Sequence, residues 1–146
     1  MKVSSKLECA CRALLQLEKN YATGQVIKIE DIAAKENLSA NFLLQVLKPL
    51  KAAGLVESKR GQAGGYFLSK DPSLLTLKDI YLATEGAPLN ASSPLSRGNN
   101  GADRGESDSQ LEQLWINVSA DLSETLSSWT LLKIKEQGLE IDSYQI

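Results

Sequence analysis

The chain has 146 residues, 42% of them hydrophobic and 23% charged, which suits one domain with a proper core, or a small domain plus an assembly element, and is too short for two large domains. It contains no histidine and has a formal net charge of -2, so the commonest general base and the commonest metal ligand are both missing, and an enzyme is not expected. No uncharged apolar run approaches the ~20 residues that a membrane-spanning helix needs, and Met1 to Lys6 leads into a charged amphipathic helix rather than a secretion signal, so a cytoplasmic protein is expected.

Ser5 to Lys19 reads as the first helix. Ser5 and Glu8 stand at capping-box spacing, and Leu7, Ala10, Cys11, Leu14, Leu15 and Leu17 form the apolar side. Lys2, Ser4, Ser5 and Lys6 cluster at its start, where free amides and positive charge favour an anion; they are either phosphate contacts or an ordinary solvated terminus. Cys9 and Cys11 are two apart on this helix and point in different directions, so they make a poor disulfide and are read as small buried residues.

After a loop from Tyr21 to Gln25, Ile29 to Glu36 reads as a second helix with Ile32 and Ala33 toward the core. Asn37-Leu38-Ser39 is a turn too brief for anything but an angled helix pair, which makes this a helix-turn-helix. The third helix starts at the N-cap Ser39 and stops at Gly54. Leu43, Val46, Leu47 and Leu50 recur at helical steps as its buried stripe, while Asn41, Gln45 and Lys48 fall on another face that is free to read a partner. Pro49 removes one backbone donor and crowds the carbonyl of Gln45, so a kink is expected there.

Leu55 to Ser58 and Tyr66 to Ser69 are strand-like, and between them lie Lys59, Arg60, Gly61, Gln62, Ala63, Gly64 and Gly65. Such a basic, glycine-rich hairpin is a wing, whose tip can approach a phosphate chain or enter a minor groove with Arg60 inward. A net negative chain seems a poor ligand for a polyanion, but the charge is sorted. Residues 1–70 carry eleven Lys and Arg against six Asp and Glu, a net of +5, and residues 71–146 carry five against twelve, a net of -7. The front half can meet nucleic acid and the back half cannot.

Beyond the turn Asp71-Pro72-Ser73, a short helix from Leu77 to Thr84 ends at Gly86. Residues 87–109 are rich in Gly, Ser, Asn and Pro and are expected to form a mobile loop. Leu111 to Gln137 reads as one long helix whose stripe of Leu111, Leu114, Trp115, Val118, Leu122, Leu126 and Trp129 suggests pairing with the same helix of a second subunit. The expected organisation is a mainly α winged helix-turn-helix over 1–86, a flexible loop over 87–109, and a dimerisation helix with its tail over 110–146.

With these residues in place the chain resembles the Rrf-type winged-helix transcriptional regulators, the IscR-, NsrR- and CymR-like family, from Met1 to about Gly86. The most specific part is Arg60 to Leu68, preceded by Ala53-Gly54-Leu55-Val56 and joined by Ile32-Ala33, Ser39, Phe42-Leu43 and Gln45. The resemblance implies a homodimeric regulator of transcription that binds double-stranded DNA. Ser39, Ala40, Asn41, Leu44, Gln45 and Lys48 would serve the major groove, and Lys59, Arg60, Gln62, Gly64 and Gly65 the adjacent minor groove. Many members hold an iron-sulphur cluster through cysteines in the loop before the dimerisation helix; residues 87–109 have none, so no cofactor is expected. Glu8, a ligand in some members, is read as a cap. Leu44 stands where the best-known member has a glutamate used in base discrimination, which implies a shifted or relaxed operator preference with Gln45 as the main polar reader. Two other readings are a winged helix used for protein interaction and a thiol switch through Cys9 or Cys11; a small-molecule or protein effector is left open.

Overall fold

The computed structural model describes residues 2–87 and 105–144, with side chains up to residue 138; most of the expected mobile loop lies outside the described residues. In chain order the elements are α1 (Ser5–Glu18), α2 (Ile29–Glu36), α3 (Ala40–Ala52), β1 (Val56–Lys59), β2 (Gly65–Leu68), α4 (Leu77–Glu85), α5 (Asp108–Ser128) and α6 (Leu131–Tyr144). The architecture is mainly helical with one antiparallel hairpin, in the register Val56 to Leu68, Glu57 to Phe67, Ser58 to Tyr66 and Lys59 to Gly65. No described helix is long and apolar enough to cross a membrane.

One core gathers Leu7, Leu14 and Leu17 of α1, Ile32 of α2, the α3 stripe, Val56 and Leu68 of the hairpin, and Ile80 of α4. Leu43, Val46, Leu47 and Leu50 are all fully buried, and burial of each such side chain contributes about 1.5–3 kcal/mol. That contribution holds α3 against the domain by one side and leaves the other to solvent. The α1 cap differs from expectation. Ser4, not Ser5, accepts from the Leu7 amide at 3.1 Å, and Glu8 turns away from the helix start to pair with Arg12 at 2.9 Å. Cys9 lies in the core and Cys11, expected on the apolar side, only borders it.

The α2–α3 turn rests on Asn37, which takes the left-handed conformation at φ 54°, a cap position that asparagine tolerates better than most side chains. Gly54 closes α3 in the same region at φ 76°, while the Leu55 amide donates to the Leu50 carbonyl at 3.0 Å. Between these ends α3 runs through Pro49 to Ala52. α4 begins with a complete capping box, Thr76 and Asp79 each accepting from the other's amide, and Lys70 pairs with Asp79 at 2.9 Å.

The single helix expected over Leu111–Gln137 is two helices. Trp129 adopts an extended conformation at φ -97° and ψ 99°, and Thr130 forms a β-bridge with Thr76. The Trp129 carbonyl accepts from the Leu77 amide at 2.7 Å, the Leu131 amide donates to the Leu75 carbonyl at 2.8 Å, and the Leu132 amide donates to the Pro72 carbonyl at 3.1 Å. The break exchanges helical bonds for this clasp and turns Leu131 fully into the core. Thr130 then caps α6, its hydroxyl accepting from the Lys133 amide at 3.1 Å. Further along, Lys135 pairs at 2.9 Å with Glu18, a largely buried carboxylate at the end of α1.

Candidate nucleic-acid interface

α3 presents Ala40, Asn41, Leu44, Gln45 and Lys48 on one exposed face, with Lys51 a turn beyond. Ser39 fixes where that face begins, because its hydroxyl accepts from the Phe42 amide at 3.4 Å. The arrangement follows from helical spacing: positions that alternate with the buried stripe at three- and four-residue steps must point outward together.

The wing is fastened to the body through Tyr66. Its amide donates to the Ile27 carbonyl at 2.8 Å and its carbonyl accepts from the Ile27 amide at 2.9 Å, an isolated antiparallel bridge beside the two-stranded hairpin. This close approach requires glycine at the neighbouring position. A Cβ on Gly65 would lie 2.5 Å from the Ile27 carbonyl oxygen, and one on Gly64 would lie 2.2 Å from that of Lys59. Both glycines therefore shape the tip.

Hairpin, α3 and the segment before α2 enclose an open cleft of about 760 Å³ lined by Lys28, Glu30, Lys51, Lys59, Arg60, Gln62, Gly64 and Gly65, among others. Its charged side chains are four cations and one carboxylate, so the cleft concentrates positive potential. Lys51 donates to Ser58 at 2.7 Å, and the Lys59 ammonium lies 5.7 Å from the centre of the Phe67 ring, which bends this side chain over the hairpin. Lys28 and Lys51 were not singled out from sequence. The available signal was that Lys51 follows Lys48 at helical spacing and Lys28 directly precedes α2.

The structure thus joins Lys59, Arg60, Gln62, Gly64 and Gly65 in one cleft, which α3 reaches through Lys51, one turn beyond the exposed face that ends at Lys48. Lys2, Ser4 and Ser5 belong to neither group. Lys2 and Ser5 are exposed near the start of α1, whereas the Ser4 hydroxyl is engaged with the Glu85 carboxylate of α4, a neighbour that repels phosphate.

The stripe expected on the long helix is also divided. Leu111 and Leu114 remain 42% and 45% exposed, but Leu126, at 4%, is buried in its own chain because it sits beside the clasp. Trp115, Val118 and Leu122 are half-buried. Trp129 belongs to the break itself, with the Lys133 ammonium 4.4 Å from its ring.

The surroundings of both cysteines disfavour the thiolate. Burial raises the Cys9 thiol pKa against the opposing charge of Arg12. Burial first, and then the Glu8 charge, push Cys11 up to about 11. At neutral pH both stay protonated, and the thiol is the unreactive form. Alkylation of Cys11 in the folded protein, followed by mass spectrometry, is expected to be slow at pH 7 and to accelerate about tenfold per pH unit. The rate should approach its plateau only near the pKa of about 11; rapid labelling at pH 7 would contradict this.

Comparison with known proteins places this geometry in context. The Rrf2 family model, described as an iron-dependent transcriptional regulator, matches residues 3–137. The chain is 33% identical over 131 residues to the HTH-type transcriptional regulator CymR of Bacillus subtilis (strain 168), covering 90% of this chain and 87% of that one. It is 30% identical over 131 residues to the HTH-type transcriptional regulator IscR of Klebsiella pneumoniae (strain 342), covering 90% of this chain and 77% of that one. The solved structure of CymR, the global cysteine regulator of B. subtilis, superposes with a TM-score of 0.71 at 31% identity, over 94% of this chain and 98% of that one.

Proposed function

The chain belongs to the Rrf2 family of transcriptional regulators, and from that membership we propose that it binds operator DNA as a homodimer, without an iron-sulphur cluster. Its role is regulation of transcription, not catalysis. In the proposed complex the exposed face of α3 enters the major groove and the Arg60 tip the adjacent minor groove. Residues 1–86 act as the reading unit and 110–146 as the assembly element, with the exposed Leu111 and Leu114 in the subunit seam. Two units joined in this way would contact half-sites about 34–36 Å apart, the spacing of one helical turn. The protein would act in the cytoplasm, where its DNA is, and answer to a small-molecule or protein effector.

The observation that carries the reading is the basic cleft beside the outward face of α3. A helix and a hairpin that share one positive surface match the two grooves of a duplex, and an acidic protein has little other use for such a concentration of cations.

The donor set does not fit a cluster. Such clusters are held by several thiolates, and this chain has two cysteines in all, of which Cys9 is buried in the core. Among the described residues no three His, Cys, Asp or Glu side chains are grouped to hold a metal ion.

Titrating operator fragments selected from random duplex DNA at several salt concentrations tests the proposal. Arg60→Ala should cost about 1–3 kcal/mol of specific binding, while Lys59→Ala should weaken all sequences alike and reduce the salt slope by about one unit. A purified chain that stays monomeric and ignores duplexes in dilute buffer would instead make the winged helix a protein-interaction module.

A further inference from the structure

Leu44 is 43% exposed on the outward face of α3, between the polar side chains of Asn41 and Lys48 and beside Gln45. It lies outside the core, whose α3 side is made by Leu43, Val46, Leu47 and Leu50. Leucine can neither donate nor accept a hydrogen bond, so whatever meets it must be apolar if nothing is to be left unpaired.

In the major groove one base edge meets that condition. Thymine displays a C5-methyl group beside its O4 acceptor, whereas guanine, adenine and cytosine display acceptors and amino donors and no methyl group. The neighbours are matched to the other strand of the same base pairs, because asparagine and glutamine make paired hydrogen bonds to adenine. We infer that Leu44 reads the methyl group of a thymine in each half-site, within an A·T-containing stretch that Asn41 and Gln45 read through adenine. The inference rests on the proposal that α3 enters the major groove.

The test uses the purified full chain. A duplex selected from random DNA is remade with each thymine in turn replaced by deoxyuridine, which removes only the methyl group and leaves base pairing intact. One symmetric pair of positions should weaken wild-type binding about fourfold per half-site, the equivalent of one buried methyl group. The same replacement should leave the affinity of Leu44→Ala unchanged, and since the side chain is exposed, that variant should melt with the wild type. If wild type binds its selected sequence and every deoxyuridine is neutral, or if the sensitive thymine is equally sensitive in Leu44→Ala, the methyl reading is overturned while DNA recognition stands. Failure of the wild-type chain to bind any duplex would overturn both.

Discussion

Gly64→Ala is expected to weaken specific operator binding at least about tenfold while leaving the helical core folded. Its Cβ would meet the Lys59 carbonyl oxygen at 2.2 Å, that of Gly61 at 2.8 Å and the Arg60 carbonyl carbon at 2.9 Å. All three are backbone atoms of the wing, so no side-chain rotation relieves the clash and the hairpin tip has to be rebuilt. Overpacking of this kind costs about 1–3 kcal/mol, and here the distortion falls on the segment that aims Arg60. A loss of at least about tenfold in operator affinity follows if only 1.4 kcal/mol of the aiming is lost. Circular dichroism should show unchanged helix content, because the core residues of α1, α3 and α4 lie outside the tip. Wild-type affinity in Gly64→Ala would mean that the wing conformation is irrelevant to binding.

Leu131→Ala is expected to have the largest effect on folding. Leu131 is fully buried at the α5–α6 break, and truncation of such a leucine costs about 2–5 kcal/mol through lost burial and the cavity left behind. Against a typical domain stability of about 5–15 kcal/mol that is a large fraction. Chemical denaturation at a fixed chain concentration measures it, since subunit association would otherwise shift the midpoint. Leu114→Ala, at a position 45% exposed, should leave the folding of each chain nearly intact and instead loosen self-association in sedimentation. A change below about 1 kcal/mol for Leu131→Ala would show that the site collapses freely and that the clasp contributes little.

The winged helix was legible because its signals are local. Ser39 and Gly54 mark both ends of α3, the apolar stripe fixes its buried side, and Gly64-Gly65 after a Lys-Arg pair marks a tight basic hairpin. Each depends on residues a few positions apart, so chain order was enough. The break at Trp129 was not legible, since Trp129, Leu131 and Leu132 continue an apolar pattern that a straight helix would accept. What decides against the helix is distant in sequence: the backbone of Pro72, Leu75 and Leu77 offers bonds, and the core offers Leu131 a place. The same holds for Leu126, whose periodicity said only that it faces something apolar, and for Lys28 and Lys51, which approach the wing only in the fold. Ser4 stands directly before the expected cap Ser5, and the local pattern does not distinguish the two; Cys9 turns inward because it lies on the face of Ala13, Gln16 and Leu17, which packing and not the cap selects.

Backbone bonds from Trp129, Leu131 and Leu132 to the start of α4 leave the far end of α5 no slack. In a dimer joined along α5, each such helix then works as the arm of a caliper, with a reading head fixed at its jaw. In the proposed dimer a small change of pitch in the seam would then be passed on to the jaw opening instead of being absorbed at that end. An effector would have only to alter how the arms cross to take both heads out of register with the grooves.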